Sequence, residues 1–389
     1  MRGIYNLQFV IYSLCACACL FLACSGGTDR SVSGNRDWKL FRGNAALSGY
    51  TDTDLPRKPV LLWTYRGEAM TSSSPVIDNG TTYWSDKRGR IRGIDMAGQP
   101  VFLYDLQTAV EATPMISDST LYIGRIDGFL TALSLAKRDT LWNFETMGQI
   151  SASPNVMNFA GRKAIVFGSY DNYLYCVDAE TGRELNRFES GYYLNGAAAV
   201  RKEYAAYGGC DAYVRIIDCR TGLPTDSLLL DAYVPASPAI AGDYCYVGDY
   251  SGNIYALLLE EGKIVRHEKI VSAAADNGSF VSVPAVSREA IYFFSGNRHL
   301  SAVSRKDGKL LWKYLLKGNV KESAPVVCRD KVIVCTGSGI VSILNADSGE
   351  LLWEYDTGEQ IIASPAIIKD HFMILTAKGR LFCFGEKAD

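Results

Sequence analysis

Histidine is scarce in this chain, and the patterns that most metal sites require are missing. The three histidines are His267, His299 and His371, and they lie far apart in 389 residues. No HxH or HExxH spacing occurs, so the sequence offers no zinc or iron site. No GxSxG motif marks a nucleophilic serine. A serine–histidine–aspartate triad assembled from distant residues stays open, but no motif supports one.

Cysteine pairs of the kinds used in redox chemistry are also missing. No two cysteines are adjacent, and no pair has CxxC spacing. Seven cysteines follow Cys24, which is an odd number, and most lie in apolar runs such as YCYVG and VIVC. We therefore interpret them as small buried hydrophobic residues and not as a disulfide framework.

A large excess of charge is absent as well. The chain has 40 Lys and Arg against 42 Asp and Glu, for a formal net charge of −2. Such a balance gives no strong field, so nucleic acid is not an expected partner. The 36 glycines and 23 tyrosines are typical of a protein with many short strands and tight turns.

One apolar stretch stands at the N-terminus. Residues 4–23 are apolar except for Asn6, Gln8 and Ser13, and a polar, glycine-rich segment follows. This order predicts a secretory signal peptide at residues 1–23. A transmembrane anchor is the alternative interpretation, but the apolar run is interrupted.

The end of this stretch suggests a lipid anchor. The tetrapeptide FLAC, which ends at Cys24, resembles the bacterial lipobox. This resemblance implies that Cys24 carries a lipid and that residues 24–37 form a lipidated flexible linker. LCAC, which ends at Cys17, is a rival site.

The main feature of the chain is a pattern that occurs eight times at intervals of roughly 40 residues. In each copy, small residues run into an apolar stretch. The copies are TSSSPVI from Thr71, VEATPMI from Val110, ISASPNV from Ile150, LNGAAAV from Leu194, VPASPAI from Val234, FVSVPAV from Phe280, KESAPVV from Lys321 and IIASPAI from Ile361. Self-similarity at this period indicates a repeat architecture.

Each repeat contains short apolar runs that have the character of strands. From Ile150 the runs are ISASPNV, KAIVFGS, YLYCVDAETG and RELNRFE, separated by turn residues and without helical period. Four antiparallel strands repeated radially make a β-propeller. The sequence therefore predicts an all-β fold, an eight-bladed β-propeller with four-stranded antiparallel blades, over residues 38–389.

The two ends of the chain predict how the ring closes. The eighth copy has no fourth run, because the sequence ends with LFCFGEKAD. LLWTY at residues 61–65 precedes the first copy and matches LLWKY and LLWEY, which end the sixth and seventh copies. We expect residues 61–65 to become the outer strand of the last blade.

Tryptophans recur at one place in the fourth run. They are Trp63, Trp142, Trp312 and Trp353, and two other copies have Leu103 and Asn186 at this place. An aromatic residue at a fixed repeat position predicts packing between blades and not chemistry.

The composite repeat of SSPxI, an apolar strand, a DxxTG turn and LLW resembles the pyrroloquinoline-quinone (PQQ) type of propeller repeat. DAETG at residues 178–182, DCRTG at residues 218–222 and DSG at residues 347–349 form the turns. The lead-in WKLFRGNAALSGY, residues 38–50, is also similar to that of the family. The resemblance implies the fold, while function depends on the sites that the fold carries.

Two branches of this family differ in the function and the cofactors that the resemblance implies. Quinoprotein dehydrogenases hold PQQ and calcium in the channel, but they are longer and use an adjacent cysteine pair that this chain lacks. No cluster of Asp, Asn or Glu offers the oxygen ligands that calcium needs. Lipoproteins of the BamB type are similar in length, eight-bladed and begin with a lipobox. The resemblance therefore implies no cofactor, with PQQ and calcium possible but unsupported.

Candidate binding residues lie in the loops that connect one blade to the next, which surround the channel mouth in propellers. Two such loops are unusual: residues 188–196 and residues 270–282, with a tyrosine on the loop between them. They offer aromatic and polar side chains, namely Tyr192, Tyr193, Asn195, Tyr233, Asp276, Asn277 and Phe280. This composition favours protein or ligand contact, and the alternative is packing over the channel mouth.

These observations predict a non-catalytic envelope lipoprotein that acts as a protein-interaction scaffold. The BamB-type resemblance implies a barrel-assembly protein as partner, and an outer-membrane location facing the periplasm, with the cell surface as the alternative. A channel that binds a small ligand or a glycan is the second hypothesis. A PQQ-dependent oxidoreductase is the third.

Overall fold

The chain forms eight antiparallel sheets arranged in sequence order around a ring. The computed structural model describes residues 37–387 except 160, 273–281 and 297. Within these residues all regular elements are strands. Seven sheets contain four strands of one repeat, the sheet of blade 7 has one strand more, and the sheet of blade 8 combines three strands of its repeat with one from the N-terminal part of the chain. The all-β, eight-bladed propeller predicted from the repeats is confirmed.

The first strand of each blade lies next to the central channel, and the second strand pairs with it on the side away from the channel. The inner strands of blades 1 to 8 are β3 (Val76–Asp78), β7 (Met115–Ser117), β11 (Asn155–Phe159), β15 (Ala199–Arg201), β19 (Ala239–Ala241), β23 (Ala285–Val286), β27 (Val326–Cys328) and β31 (Ala366–Ile368). The second strands are β4 (Thr81–Ser85), β8 (Thr120–Gly124), β12 (Arg162–Gly168), β16 (Tyr204–Gly208), β20 (Tyr244–Gly248), β24 (Ala290–Ser295), β28 (Lys331–Cys335) and β32 (His371–Leu375).

The remaining strands lie toward the rim. The third strands are β5 (Arg90–Ile94), β9 (Phe129–Ser134), β13 (Tyr173–Asp178), β17 (Tyr213–Asp218), β21 (Ile254–Glu260), β25 (His299–Ser304), β29 (Ile340–Asn345) and β33 (Arg380–Gly385). The outer strands of blades 1 to 7 are β6 (Pro100–Asp105), β10 (Asp139–Glu145), β14 (Glu184–Glu189), β18 (Leu223–Leu229), β22 (Lys263–Val271), β26 (Leu310–Leu315) and β30 (Leu351–Asp356). Two strands precede the blades: β1 (Tyr50–Thr51) and β2 (Val60–Arg66).

Blade 8 takes its outer strand from the N-terminal part of the chain. Strand β2 pairs antiparallel with β33, and Leu61 faces Phe384 while Tyr65 faces Leu381. The Tyr65 ring also packs edge-on against Trp84 of blade 1, with the ring centroids 5.9 Å apart. The predicted closure of the ring by residues 61–65 is therefore confirmed.

Stacking of the blades explains the apolar runs. The second and third strands are almost completely buried, because both faces of each sheet pack against a neighbouring blade. Outer strands instead alternate between exposed and partly buried residues. Of the seven cysteines after Cys24, six are buried and free, and Cys210 is partly exposed and also free. This confirms their interpretation as small hydrophobic residues.

Every outer strand contains a β-bulge near its start. The pairing with the third strand skips one residue in all eight blades: Val101, Leu141, Leu185, Thr225, Val265, Leu311, Leu352 and Leu62. A bulge twists an edge strand and interrupts its row of unpaired hydrogen-bonding groups. The rim is therefore poorly suited to the addition of a further strand.

Tryptophans that follow the bulge join one blade to the next. The indole nitrogens of Trp63, Trp142 and Trp312 donate hydrogen bonds to backbone carbonyls of Met96, Ala179 and Ala346 in the following blades, at 2.8, 3.2 and 2.8 Å. The predicted packing role is confirmed. In blade 1 the residue that follows the bulge is Phe102. Phe102 is buried in the place of the tryptophans and Leu103 is exposed, so the prediction for Leu103 was wrong.

The segment before β2 crosses one end of the channel. We call residues 38–54 the lead segment, and its backbone contacts the inner ends of the blades in turn. Carbonyls of Lys39, Ala45, Ala46, Ser48 and Gly49 accept hydrogen bonds of 2.7–2.9 Å from Ile116, Val200, Ile240, Val286 and Val327. Trp38 exchanges two hydrogen bonds with Ile77 of blade 1. The Asn155 side chain of blade 3 also donates to Ala45, at 2.7 Å.

Arg42 of the lead segment is completely buried at this end of the channel. Its guanidinium donates to the carbonyls of Pro325 and Pro284 at 2.5 and 3.1 Å, and so links blades 7 and 6. Burial lowers the pKa of Arg42 to about 9. We call the face crossed by the lead segment the floor face, and the opposite face, which carries the blade-to-blade loops, the mouth face.

Candidate functional site

The mouth face surrounds a pocket to which all eight blades contribute. The pocket has a volume of about 470 Å³, and Phe41 of the lead segment lies at its base. Its wall consists mainly of small residues of the repeated pattern, including Ser72, Ser74, Glu111, Thr113, Ser151, Ser153, Asn195, Gly196, Ser237, Ser282, Glu322 and Ser364. The repeated pattern therefore forms the lining of the channel.

Most hydroxyl groups of the residue before the proline form hydrogen bonds between neighbouring blades. The hydroxyls of Thr113, Ser237, Ser364 and Ser74 accept hydrogen bonds from backbone amides of Ser74, Ala197, Ala324 and Ser364 at 2.8–3.0 Å. Each of these bonds crosses from one blade to its neighbour. The residue before the proline is thus a structural residue in at least half of the repeats.

A few polar groups of the pocket remain available to a ligand. The hydroxyls of Ser151 and Ser282 are buried and have no hydrogen-bond partner among the described residues. Glu111 lies 3.4 Å from Lys87, and Glu322 adds a second carboxylate from blade 7. Buried polar groups without partners favour a polar occupant such as water or a hydroxylated ligand.

The donor set of this pocket does not fit PQQ with calcium. Calcium takes six to eight oxygen ligands, usually with several carboxylates. The described lining contains only Glu111 and Glu322 as carboxylates, from blades 2 and 7. No group of three or more His, Cys, Asp or Glu side chains that could hold a metal occurs in the described part of the chain.

Tyrosines form a second feature of the mouth face, on blades 3 to 5. We call Tyr170, Tyr192, Tyr193, Tyr233 and Tyr250 the tyrosine face. The Tyr193 ring stacks on Tyr170 and contacts Tyr192, with centroids 5.0 and 4.9 Å apart. Tyr233 stacks on Tyr250 with centroids 4.4 Å apart. Tyr192, Tyr193, Tyr233 and Tyr250 are each between 38% and 46% exposed.

Short backbone hydrogen bonds hold these rings in place. The amide of Tyr250 donates to the carbonyl of Tyr233 at 2.8 Å, and the amide of Tyr170 donates to Gln149 at 3.0 Å. The Asp171 carboxylate also accepts from the amide of Met147, at 3.0 Å. These bonds connect the blade-to-blade loops with the loops between second and third strands. The tyrosine face therefore presents large rings on a firmly held backbone.

Asn195 and Cys210 lie between the two groups of tyrosines. The Asn195 amide nitrogen is 3.9 Å from the Cys210 sulfur. Burial raises the pKa of the Cys210 thiol, so the thiol stays protonated at neutral pH and is a poor nucleophile. Burial and the hydrogen bond with Tyr250 raise the pKa of Tyr233 to about 12. The Tyr233 phenol is therefore a neutral group that can donate and accept hydrogen bonds.

The structure places four of the predicted site residues on one face: Tyr192, Tyr193, Asn195 and Tyr233. The other predicted site residues, Asp276, Asn277, Phe280 and the lipidation candidate Cys24, lie outside the described residues. Sequence reasoning missed Tyr170 and Tyr250, since it considered only blade-to-blade loops. Both follow the glycine-containing end of a second strand, and an alignment of the repeats at that position finds them.

A larger groove on the floor face is lined by charged side chains that pair with one another. It lies between blades 2 and 3 and has a volume of about 1030 Å³. Lys163 pairs with Asp118 across it, and Arg162 pairs with Asp178 at 3.3 Å. These ion pairs satisfy the charged groups locally, so the groove offers less than the mouth face to a charged ligand.

Comparison with known proteins supports the fold seen here. The profile of a family described as "Outer membrane protein assembly factor BamB" matches residues 33–203 and 277–387. The structure of BamB from Moraxella catarrhalis has 18% sequence identity and a TM-score of 0.70, and the match covers 85% of this chain and 98% of that chain. A europium-containing methanol dehydrogenase has 12% identity and a TM-score of 0.75, with 91% and 99% covered. At these identities the two structures show a shared fold alone.

A curated relative matches over a shorter length. The β-alanine-activating enzyme of Danio rerio is 25% identical over 179 residues, which is 38% of this chain and 15% of that protein. The chain therefore spans about one seventh of the relative it matches. Within the residues that the structure describes, no helix has the length and apolar character needed to cross a membrane.

Proposed function

Since the chain belongs to the family of the outer membrane protein assembly factor BamB, we propose that it is a non-catalytic scaffold of the bacterial envelope. In this proposal it binds a protein partner through the tyrosine face. The observation that carries it is the group of five tyrosines held on rigid loops around one side of the mouth. Exposed aromatic rings with neutral hydroxyls are typical of the energetic centres of protein interfaces.

The proposed partner is a β-barrel assembly protein, as the family description suggests. Lipidation at Cys24 holds the propeller at the outer membrane, facing the periplasm. The bulged outer strands favour docking of the partner on loops over strand addition at the rim. Rigid loops also reduce the entropy that binding costs.

Site-specific crosslinking in intact cells tests this proposal. We expect a photocrosslinking residue in place of Tyr193 to capture a barrel-assembly protein. The same residue in place of Leu223, which is 63% exposed on the outer strand of blade 4, serves as the matched control. Equal capture from both positions, or capture only from Leu223, would contradict docking on the tyrosine face.

A second candidate function is the binding of a small hydroxylated ligand in the mouth pocket. The buried, unpartnered hydroxyls of Ser151 and Ser282 favour it. A glycan that occupies the pocket should raise the melting temperature, because a ligand that binds only the folded state stabilises it. PQQ added together with calcium in the same assay should leave the melting temperature unchanged. A rise in melting temperature on addition of PQQ and calcium would instead support the quinoprotein hypothesis.

A further inference from the structure

A cationic cleft lies on the mouth face across the channel from the tyrosine face. It occupies the junction of blades 8 and 1, while the tyrosines lie on blades 3 to 5. Its volume is about 760 Å³. The loop from β2 to β3 forms one wall, and the loops between the second and third strands of blades 1 and 8 form the others. The charged lining consists of Arg66, Glu68, Lys87, Arg88, Glu359, Lys378 and Arg380.

Most acidic groups near the cleft are already engaged. Glu68 pairs with Arg90 and lies 3.3 Å from Arg92, and the charges of Arg92 and Arg90 hold the pKa of Glu68 below 4.5. Glu359 accepts a hydrogen bond of 2.8 Å from the Thr376 hydroxyl and lies 3.6 Å from Arg380. The local carboxylates therefore have little capacity to neutralise further cations.

Three exposed cations of the cleft have no acidic partner among the described residues. The side chains of Arg66, Arg88 and Lys378 form no ion pair within 4 Å in that part of the chain, whereas Lys87 pairs with Glu111 at 3.4 Å. Five cations against two carboxylates leave a net positive charge in a concave site. A concave site lined by charge of one sign concentrates ligands of the opposite sign.

The backbone that carries these cations is firmly held. Gly67 donates to Gly379 at 2.8 Å, and Lys87 donates to Met70 at 2.8 Å, so the three loops are joined to one another. The Asp86 carboxylate accepts from the amide of Arg88 at 2.9 Å and fixes that turn. The cleft is therefore a preformed site in which only long side chains need to adjust.

The positions of the cations in the cleft favour one class of anionic ligand over another, an acidic peptide over phosphate. Arg66 ends strand β2, whereas Arg88 and Lys378 stand on two different loops. An extended chain with several carboxylates can therefore place a negative charge beside each of these three cations. Met70, which is 59% exposed at the edge of the cleft, also offers apolar contact to a peptide. These features favour a carboxylate-rich peptide over phosphate.

We propose that the cleft binds an acidic segment of a protein partner, so that one partner docks at two points on the mouth face. The tyrosine face provides the apolar contact, and the cleft provides the electrostatic contact on the other side of the channel. The inference rests on the proposed function, because the acidic segment belongs to the partner held by the tyrosine face. The cleft also steers this partner toward the mouth face.

Binding of a fluorescent hexaglutamate peptide to the full chain tests the cleft directly. We expect the double variant Arg88→Glu/Lys378→Glu to bind the peptide at least about tenfold more weakly, since two charge contacts become repulsive. The matched control is Lys137→Glu/Lys306→Glu, which changes the net charge equally but on exposed residues of the floor face. Binding should also weaken as salt concentration rises. The melting temperatures of all variants show whether they fold. If Arg88→Glu/Lys378→Glu does not fold, Arg88→Ala/Lys378→Ala is measured in its place.

The outcomes separate this inference from the proposed function. Equal peptide binding by cleft and control variants would overturn the cleft, even if crosslinking at Tyr193 still captured a partner. Peptide binding that depends on the cleft, without capture at Tyr193, would support the cleft as an acidic-peptide site and reject a shared partner. Displacement of the peptide by inorganic phosphate at comparable concentration would reject the peptide assignment in favour of a phosphate ligand.

Discussion

At the scale of single residues, a glycine in one blade leaves space for the tryptophan ring of the blade before it. Gly349 has a φ of +72°, which favours glycine, and a Cβ atom there would lie 2.6 Å from Cδ2 of Trp312. Gly358 has nearly the same φ, +69°, but no atom lies within 4 Å of the Cβ position. The two glycines thus have similar positive φ values and differ in the space around the Cβ position.

We predict that Gly349→Ala lowers the free energy of unfolding more than Gly358→Ala does. The positive φ alone should cost about 1 kcal/mol in both variants. Overlap with Trp312 should add about 2 kcal/mol in Gly349→Ala only. Denaturant unfolding of the two variants measures both values. Equal losses would show that the tryptophan does not require glycine at this place.

An ion pair ties the lead segment to blade 7. The Lys331 side chain is 6% exposed and donates to Asp54 and Asp330 at 3.0 and 2.9 Å. The hydrogen bond from Lys331 holds the pKa of Asp54 below its ordinary value of 3.8. Burial lowers the pKa of Lys331, but the hydrogen bonds to Asp330 and Asp54 outweigh burial and raise it above 10.5. Both groups are therefore charged in neutral solution.

We predict that Asp54→Asn destabilises the protein at neutral pH and not in acid. A carboxyl with a lowered folded pKa stabilises the fold above its unfolded pKa, about 3.9, and this contribution disappears as pH falls through the folded value. Because Asp54 is half exposed, the loss at neutral pH should be about 1 kcal/mol or less. Unfolding free energies of both proteins between neutral and strongly acidic pH provide the measurement. A difference that persists unchanged in acid would contradict the assignment.

At the scale of elements, strand β2 belongs to blade 8 although it lies more than 300 residues away in the chain. Its residues alternate in exposure, and the Trp63 indole donates to Met96 of blade 1 at 2.8 Å. One short strand therefore completes the last sheet and also seals the joint between the last and first blades.

We predict that deletion of residues 61–65 opens the ring and destabilises the whole propeller. The deletion exposes the edge of β33 and removes the Trp63 contact with blade 1. Circular dichroism should show a large fall in melting temperature and a less cooperative transition. A synthetic peptide of residues 58–68 should restore part of the loss, and a scrambled peptide should not. A deleted chain that melts like the parent would refute the closing role of β2.

The strands themselves were predictable from the sequence, and one register was not. Repeated small residues before each inner strand, and apolar runs buried on both faces, fix the order of strands in every blade. Phe102 follows the bulge in blade 1 as the tryptophans do in other blades, yet the sequence prediction placed Leu103 there. Phe102 lies between the apolar residues Val101 and Leu103, so this short apolar run alone does not show which residue is buried.

At the scale of the whole molecule, the candidate sites depend on ring closure. The cationic cleft joins Arg66 and Arg88 with Lys378, which lies far from both in sequence and becomes their neighbour only when blade 8 meets blade 1. Tyr170 of blade 3 and Tyr250 of blade 5 likewise share the tyrosine face only because the blades are arranged around the ring. The path of the lead segment was not predictable, because it binds through backbone carbonyls that every residue possesses.

The lead segment and β2 also determine when this protein can finish folding. Residues 38–66 are made before any of the blades, yet they contact blades 1 to 8 and pair with β33, whose last residue is Gly385. Contacts between such distant parts of a chain form slowly, and a partly folded chain exposes apolar surface until they do. Native closure is therefore delayed until β33 has been made. Until then the chain is an open intermediate with exposed apolar surface and is prone to aggregation.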